Sequence, residues 1–341
     1  MTLKKTKFLH GINSHNIPRD VINAAEPVVF KQLVDDWPMV QAGRMSDQAS
    51  VDYLKSFYNG NPTIVCKIPA ENNGRMFYNE NCTRLDYESF KGRIDETLDA
   101  ILGGKGQIDR PSYYIASNII NTHLPGFSDT NTIAIPRHKP VDAMEDRVSI
   151  WIGGATTATC HFDALDNIAC CVAGKRRFIL FAPDQISNLY PGPLEPTPGG
   201  QVISLVDFKN PDFEKFPRFK EALLTAQVAD LEPGDALYIP AMWWHHVESL
   251  EPYNVLVNYW GEDAPLFLTS GMNALYMAML GIRDKSANER AAWQHEYNHN
   301  IFDGPEKSNS FIPSEARGFL QILDRLGSRK LRALLINKLN R

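Results

Sequence analysis

Between Tyr113 and Trp260 the apolar residues fall in short β-type runs, whereas the flanking segments change to three- and four-residue spacings. The runs predict strands near Tyr113 to Ala116, Val148 to Ile152, Ala158 to His161, Asn167 to Val172, Phe178 to Phe181, Ala236 to Ile239 and Tyr253 to Trp260. Turn residues punctuate them at Gly153-Gly154, Ala173-Gly174, Ala182-Pro183 and Glu232-Pro233-Gly234-Asp235. Many short strands with regular turns point to a mainly β sandwich or barrel and away from a βαβ fold. From Pro183 to Asp230 a polar, proline-rich insertion reads as a long loop, of the kind a compact domain keeps where a loop covers a site.

Upstream, Glu26 to Pro38 opens with a β-type run and stops at Trp37-Pro38, because proline biases the residue before it away from helix. Ser50 to Tyr58 predicts a short helix and Pro62 to Ile68 a strand. Asp86 to Leu102 predicts an amphipathic helix with Tyr87, Phe90, Ile94, Leu98 and Ile101 on its core face. Beyond Pro265, Leu268, Met272, Leu275, Met279 and Ile282 form a narrow seam at four-three spacing. Phe319, Ile322, Leu323 and Leu326 form a second stripe, and Leu331, Leu334, Leu335 and Leu339 a third after a break at Gly327. Such stripes need a surface: either a two-fold partner, making a homodimer through the C-terminal helices, or the parent domain. The expected organisation is a β core with an N-terminal α/β elaboration over 1–264 and a helical region over 265–341.

Composition narrows the function classes. With 43% hydrophobic residues in 341, the chain can bury a large core. A formal net charge of −5 gives no electrostatic footprint for nucleic acid, which makes that partner a minority expectation. Five cysteines without a C-x-x-C pair argue against a disulfide framework or a structural zinc site and fit reduced thiols in a cytoplasmic protein. The first residues lack the apolar segment of a signal peptide, and the longest apolar run, Ala274 to Ile282, is too short to span a bilayer. A soluble, cytoplasmic protein is expected.

The candidate chemistry centres on His161-Phe162-Asp163. Ligand-type side chains one residue apart can face the same side of a strand. A histidine from Trp243-Trp244-His245-His246 would then complete a two-histidine, one-carboxylate face with open opposite positions, which suits non-haem Fe(II) and oxygen. His245 and His246 face opposite sides of a strand, so one of them and not both is the ligand. An H-x-D tripeptide alone recurs by chance, as a hydrogen-bonding feature of β domains. Its context adds weight: strand, H-x-D, strand, Gly turn, strand, long loop, Pro-Gly-Asp turn, His is the order a double-stranded β-helix needs. A competing motif, His295-Glu296-Tyr297-Asn298-His299, fits the H-E-x-x-H zinc hydrolase pattern. It follows the β core, has only Glu315 as a further ligand, and reads better as a solvated helix face.

Several runs carry a family resemblance. They include His161 to Asn167, Gly174-Lys175-Arg176-Arg177-Phe178, Phe181-Ala182-Pro183-Asp184-Gln185, Asp207 to Phe213, Pro233 to Pro240, Trp243 to Leu250 and Asn258-Tyr259-Trp260. Together they resemble the JmjC cupin oxygenases, most of all the factor-inhibiting-HIF type of asparaginyl hydroxylase. The likeness is specific over about Tyr113 to Trp260. It implies a jelly-roll (double-stranded β-helix) core and a dioxygenase using Fe(II), 2-oxoglutarate and O2 to hydroxylate a C–H bond, by analogy in a protein side chain. His161, Asp163 and His245 are then the catalytic metal ligands; the family pattern, not strand geometry, selects His245. For the distal 2-oxoglutarate carboxylate the family uses a lysine, where an ungapped count places Arg176 with Lys175 beside it; arginine preserves the charge but not the geometry. Ala158 falls where the relatives have a threonine, with Thr157 and Thr159 flanking it, so Thr159 is retained as a cosubstrate candidate. Tyr114, Asn167 and Asn258 match a cosubstrate phenol and two site amides, while Trp243, Trp244 and Trp260 read as packing. The alternative function is a cupin-type metal- or ligand-binding regulatory protein without 2-oxoglutarate turnover.

Overall fold

A computed structural model describes residues 3–107, 109–136 and 145–340. Fifteen strands stand among them. They are β1 (Lys4–Lys5), β2 (Lys7–Leu9), β3 (Val28–Phe30), β4 (Thr63–Ile68), β5 (Arg75–Met76), β6 (Glu88–Gly92), β7 (Ser112–Ile119) and β8 (Arg147–Gly153), followed by β9 (Thr157–Phe162), β10 (Asp166–Ala173), β11 (Arg176–Phe181), β12 (Gln227–Leu231), β13 (Ala236–Ile239), β14 (Trp244–Ser249) and β15 (Asn254–Gly261). One sheet has the order β1-β12-β11-β14-β9-β5 and the other β2-β3-β13-β10-β15-β8-β7-β4-β6. The last eight strands are the jelly roll: β8, β15, β10 and β13 pair antiparallel in one sheet, and β9, β14, β11 and β12 in the other.

Alternation decides where each side chain goes. Ala169 and Cys171 of β10 point between the sheets with Phe178, Leu180, Leu237 and Val247. Their neighbours Ile168, Cys170 and Val172 pack outward against Trp37, Val40 and Leu54 of the N-terminal segment. Strand β10 is therefore apolar on both faces and reads as a continuous run. The outer face of the smaller sheet is covered by the insertion after β11: Leu189, Val206, Phe216 and Phe219 bury Phe162, Phe181 and Trp244. The insertion is thus a packed layer and not the polar loop its composition predicts, because its scattered aromatics all reach one sheet.

Other elements differ from expectation for local reasons. Asp86 to Leu102 is not one helix: Glu88–Gly92 pairs with β4 as an edge strand, and helix begins at Ile94. Ser89 and Gly92 are poor helix formers, and the edge of β4 offers backbone partners. Trp37 is extended, as expected of the residue before a proline, while Pro38 itself opens a helix, Pro38–Met45, in whose first turn its missing N–H costs nothing. Strand β14 has no period-two signature, since Trp244, His245, His246 and Val247 are all buried.

The described residues divide into two compact units, 3–136 with 145–262, and 263–340. The second contains helices Gly271–Ala278, Ala287–Tyr297 and Arg325–Leu339. Gly327 is no break: it lies in the first turn of the last helix, where its N–H donates to the capping Asp324 Oδ1 at 2.6 Å. The stripe from Phe319 to Leu326 is not a helix; a single 3-10 turn, Gly318–Leu320, precedes that cap. No helix among the described residues is long and apolar enough to cross a membrane.

Candidate active site

Strands β9 and β14 run antiparallel with His161 directly opposite His245. Their ring centroids are 4.3 Å apart. Asp163 lies just beyond the end of β9, where its carbonyl accepts the Met242 N–H at 2.7 Å, and its Oδ2 is 3.5 Å from His245 Nε2. One ligand atom from each of the three residues falls within 4.8 Å of the others. Among the described residues this is the only such cluster that could hold a metal ion.

The tautomers are set for coordination. His161 Nδ1–H donates to the Thr159 carbonyl at 2.8 Å and His245 Nδ1–H to the Trp243 carbonyl at 3.0 Å, leaving both Nε2 lone pairs for a cation. Burial, with the adjacent His245 imidazole, lowers the His161 pKa to about 4, so this ring is neutral at pH 7. Burial opposes ionisation of Asp163, but His245, then His161 and the Trp260 indole, outweigh it and hold the carboxyl below its ordinary value. Two imidazoles and one carboxylate are a donor set that fits Fe(II). His246 faces the other way, stacked on Phe208 at 4.5 Å between centroids.

The triad opens into a small cavity of about 50 Å³. At its other end stands Arg176, 3% exposed, with Nε and one terminal nitrogen lacking any partner. The Tyr114 phenol lies against this guanidinium, and burial raises its pKa while the cation opposes the shift. A buried guanidinium with free N–H groups and no carboxylate beside it among the described residues demands an anion. The distal carboxylate of a 2-oxo acid fits that demand, with its other end toward the triad.

The structure brings some of the expected residues together and not others. Tyr114, Asn167, Arg176 and Asn258 line the cavity with the triad. Thr159 does not; its hydroxyl donates to the Met76 carbonyl at 2.9 Å. The cause is a bulge in β9: His161 pairs with His245 but Ala158 with Val247, so two residues of β9, Thr159 and Cys160, oppose the single His246 of β14. The extra residue reverses the alternation and turns Ala158, not Thr159, inward. Lys175 is also outside the cavity, exposed and 3.1 Å from Glu232. Trp260, read as packing, lines the cavity, and so does Trp151, which no motif had marked. His295 and His299 lie in an exposed helix and the π-turn after it, and are not gathered with Glu315 into a metal cluster.

Known proteins resemble the chain on different scales. The cupin-like domain pattern matches residues 14–265. HSPB1-associated protein 1 of Homo sapiens is 38% identical over 148 residues, 42% of this chain and 30% of that protein. The chain thus covers under a third of that relative. tRNA wybutosine-synthesizing protein 5 of Gallus gallus is 32% identical over 330 residues, spanning 91% of this chain and 90% of that one. JmjC domain-containing protein D of Dictyostelium discoideum is 29% identical over 269 residues, 73% of this chain and 55% of that protein.

Proposed function

The chain belongs to the cupin-like domain family, and from that premise we propose that it is a non-haem Fe(II)- and 2-oxoglutarate-dependent oxygenase that hydroxylates a C–H bond. The observation that carries this reading is the pairing, in one cavity, of an open His-Asp-His face with a buried, anion-free Arg176. A metal site alone would suit any cupin; a metal facing an orphaned guanidinium suits a chelating dicarboxylic keto acid.

In the proposed mechanism His161, Asp163 and His245 would hold the iron beside the cavity. Arg176 and Tyr114 bind the distal carboxylate, and the Asn167 and Asn258 amides line the wall between. When bound, Fe(II) with 2-oxoglutarate and O2 supplies oxidative decarboxylation, giving succinate and CO2, and the oxidising power for hydroxylation. Trp151 and Trp260, edge to face at 5.5 Å between centroids, keep water from that wall.

For the substrate, a protein side chain is the first proposal, supported by the chain's net charge of −5, which does not favour polyanions. A nucleoside in tRNA is the second, supported by the match along nine-tenths of both chains to a relative named for wybutosine synthesis. A second copy of the chain is the proposed partner for the helical unit, whose apolar side chains are uncovered in the single chain. Five unpaired thiols agree with a cytoplasmic site of action.

The test is succinate release from 2-oxoglutarate by the Fe(II)-loaded chain in cell extract, with mass spectrometry of both protein and RNA for a one-oxygen gain. Succinate formation with an oxygenated product supports the reading and identifies the substrate class. Absence of succinate formation with metal bound would favour a cupin that binds without turnover.

A further inference from the structure

Trp151 stands on β8 opposite Leu256 of β15, one diagonal step from Asn258, which pairs with Ser149. Asn258 in turn stands opposite Ala169 of β10, one diagonal step from Asn167. The three side chains therefore cross the sheet on a single diagonal, all on the face that lines the metal cavity. The Trp151 indole N–H donates to Asn258 Oδ1 at 2.7 Å, and Asn258 Nδ2–H donates to Asn167 Oδ1 at 3.1 Å.

The direction of this chain is not arbitrary. A carboxamide can turn end for end with almost no change of shape, so its orientation must be imposed by a neighbour. An indole N–H can only donate. It obliges Asn258 to give its oxygen to Trp151 and its NH2 to Asn167; Asn167, its oxygen engaged, is left with its NH2. Among the described residues that NH2 donates to no protein acceptor.

We propose that Trp151 is a positioning residue that fixes the donor direction of the Asn258 and Asn167 amides, so that the wall beside the metal ligands offers N–H groups to an oxyanion. The proposal rests on the oxygenase reading for the identity of that oxyanion, a carboxylate of the 2-oxo acid. Without the indole N–H, Asn258 is free to turn its carbonyl oxygen toward Asn167, which then donates its NH2 to that oxygen and presents its own oxygen to the anion, exchanging donors for lone pairs. No motif marks Trp151, because its role exists only through the diagonal neighbours that the sheet supplies.

The experiment measures calorimetric affinity for N-oxalylglycine, an inert analogue of 2-oxoglutarate, on the Mn(II)-loaded full chain as wild type, Trp151→Phe, Asn258→Ala and the double variant. Mn(II) affinity and the thermal midpoint are recorded for each. Trp151→Phe is expected to bind the analogue about 10-fold more weakly with Mn(II) affinity unchanged, the size of one charge-assisted hydrogen bond. Because Trp151 acts through Asn258, the double variant is expected to bind no more weakly than Asn258→Ala alone. Unchanged affinity in Trp151→Phe, or losses that multiply in the double variant, overturns the proposal while leaving the oxygenase reading intact. A wild-type chain that binds Mn(II) but not the analogue overturns both. Should Trp151→Phe not fold, the 15N-labelled wild type loaded with Zn(II) decides: the Asn167 side-chain amide signals are expected to move when the analogue is added while the Trp151 indole proton stays slow to exchange, and unmoved Asn167 signals overturn the proposal.

Discussion

The barrel and the helical unit bury their large side chains very differently. In the barrel, Phe181 is 0% exposed, Tyr238 1% and Trp244 2%; in the helical unit Leu280 is 74% exposed, Phe302 75% and Phe311 78%. Among the described residues of 263–340 no hydrophobic side chain is buried. Both regions have apolar faces, but only the barrel contains the complement of each. Eight strands supply two sheet faces that close on one another, and the N-terminal segment and the insertion cover the outer faces. The helical stripes have no such counterpart inside their own unit. A chemical site that needs fixed distances accordingly stands in the barrel.

Substitutions can break this contrast, and the largest expected effect is at the metal site. Asp163→Ala is expected to reduce Fe(II) affinity by more than about 100-fold, beyond what losing an outer-shell partner costs, with little change in thermal midpoint. Calorimetry of metal binding checks it, and retained affinity would remove Asp163 from the ligand set. Next comes packing: Phe181→Ala is expected to cost about 3–5 kcal/mol in denaturant unfolding, because nothing mobile can fill the space it leaves. For the cosubstrate, Arg176→Met is expected to weaken 2-oxoglutarate binding by about 10- to 100-fold and to raise stability slightly, since it removes an uncompensated buried charge. A melting curve and a binding isotherm on the same sample separate those two effects.

Alkaline unfolding sharpens the comparison. Burial raises the pKa of Tyr78 to about 12, and raises those of Tyr253 and Tyr259 further, all in the barrel unit. A phenol whose folded pKa lies above its unfolded value near 10 contributes fully below pH 10. That contribution is lost as the pH rises from 10 through the folded value. The barrel is therefore expected to lose stability between about pH 10 and 12, with buried phenolate absorbance appearing together with unfolding and not before it. The smallest effect belongs to the helical unit: Leu280→Ala in dilute monomer is expected to change stability by no more than about 0.5 kcal/mol. A larger, concentration-dependent loss would show that a second copy covers this face.

Part of this was legible in the sequence because strand alternation and ligand chemistry are local. The H-x-D tripeptide, the paired histidines after the tryptophans and the run of β segments lead to a jelly roll with a two-histidine, one-carboxylate cluster, and the choice of His245 over His246 rests on the family resemblance. What stayed hidden depends on pairing. The β9 bulge moves Ala158 inward and Thr159 outward, and no residue of β9 announces it. Arg176 and Lys175 carry the same charge, but Arg176 opens β11 on the face set by its pairing with Ser249 of β14, whereas Lys175 precedes the strand. Strand β14 is buried on both faces and so lacks the alternation that would mark it. Glu88 to Gly92 shows the converse, a helical spacing overruled by an open strand edge.

The central claim is that one cavity holds a metal at the triad and a keto acid stretched from it to Arg176. Calorimetric titration of 2-oxoglutarate into the chain, with and without Mn(II), tests it most directly. The account predicts binding that requires the metal, disappears in Asp163→Ala and weakens in Arg176→Met. Binding of equal strength without metal, or undiminished in both variants, would contradict it.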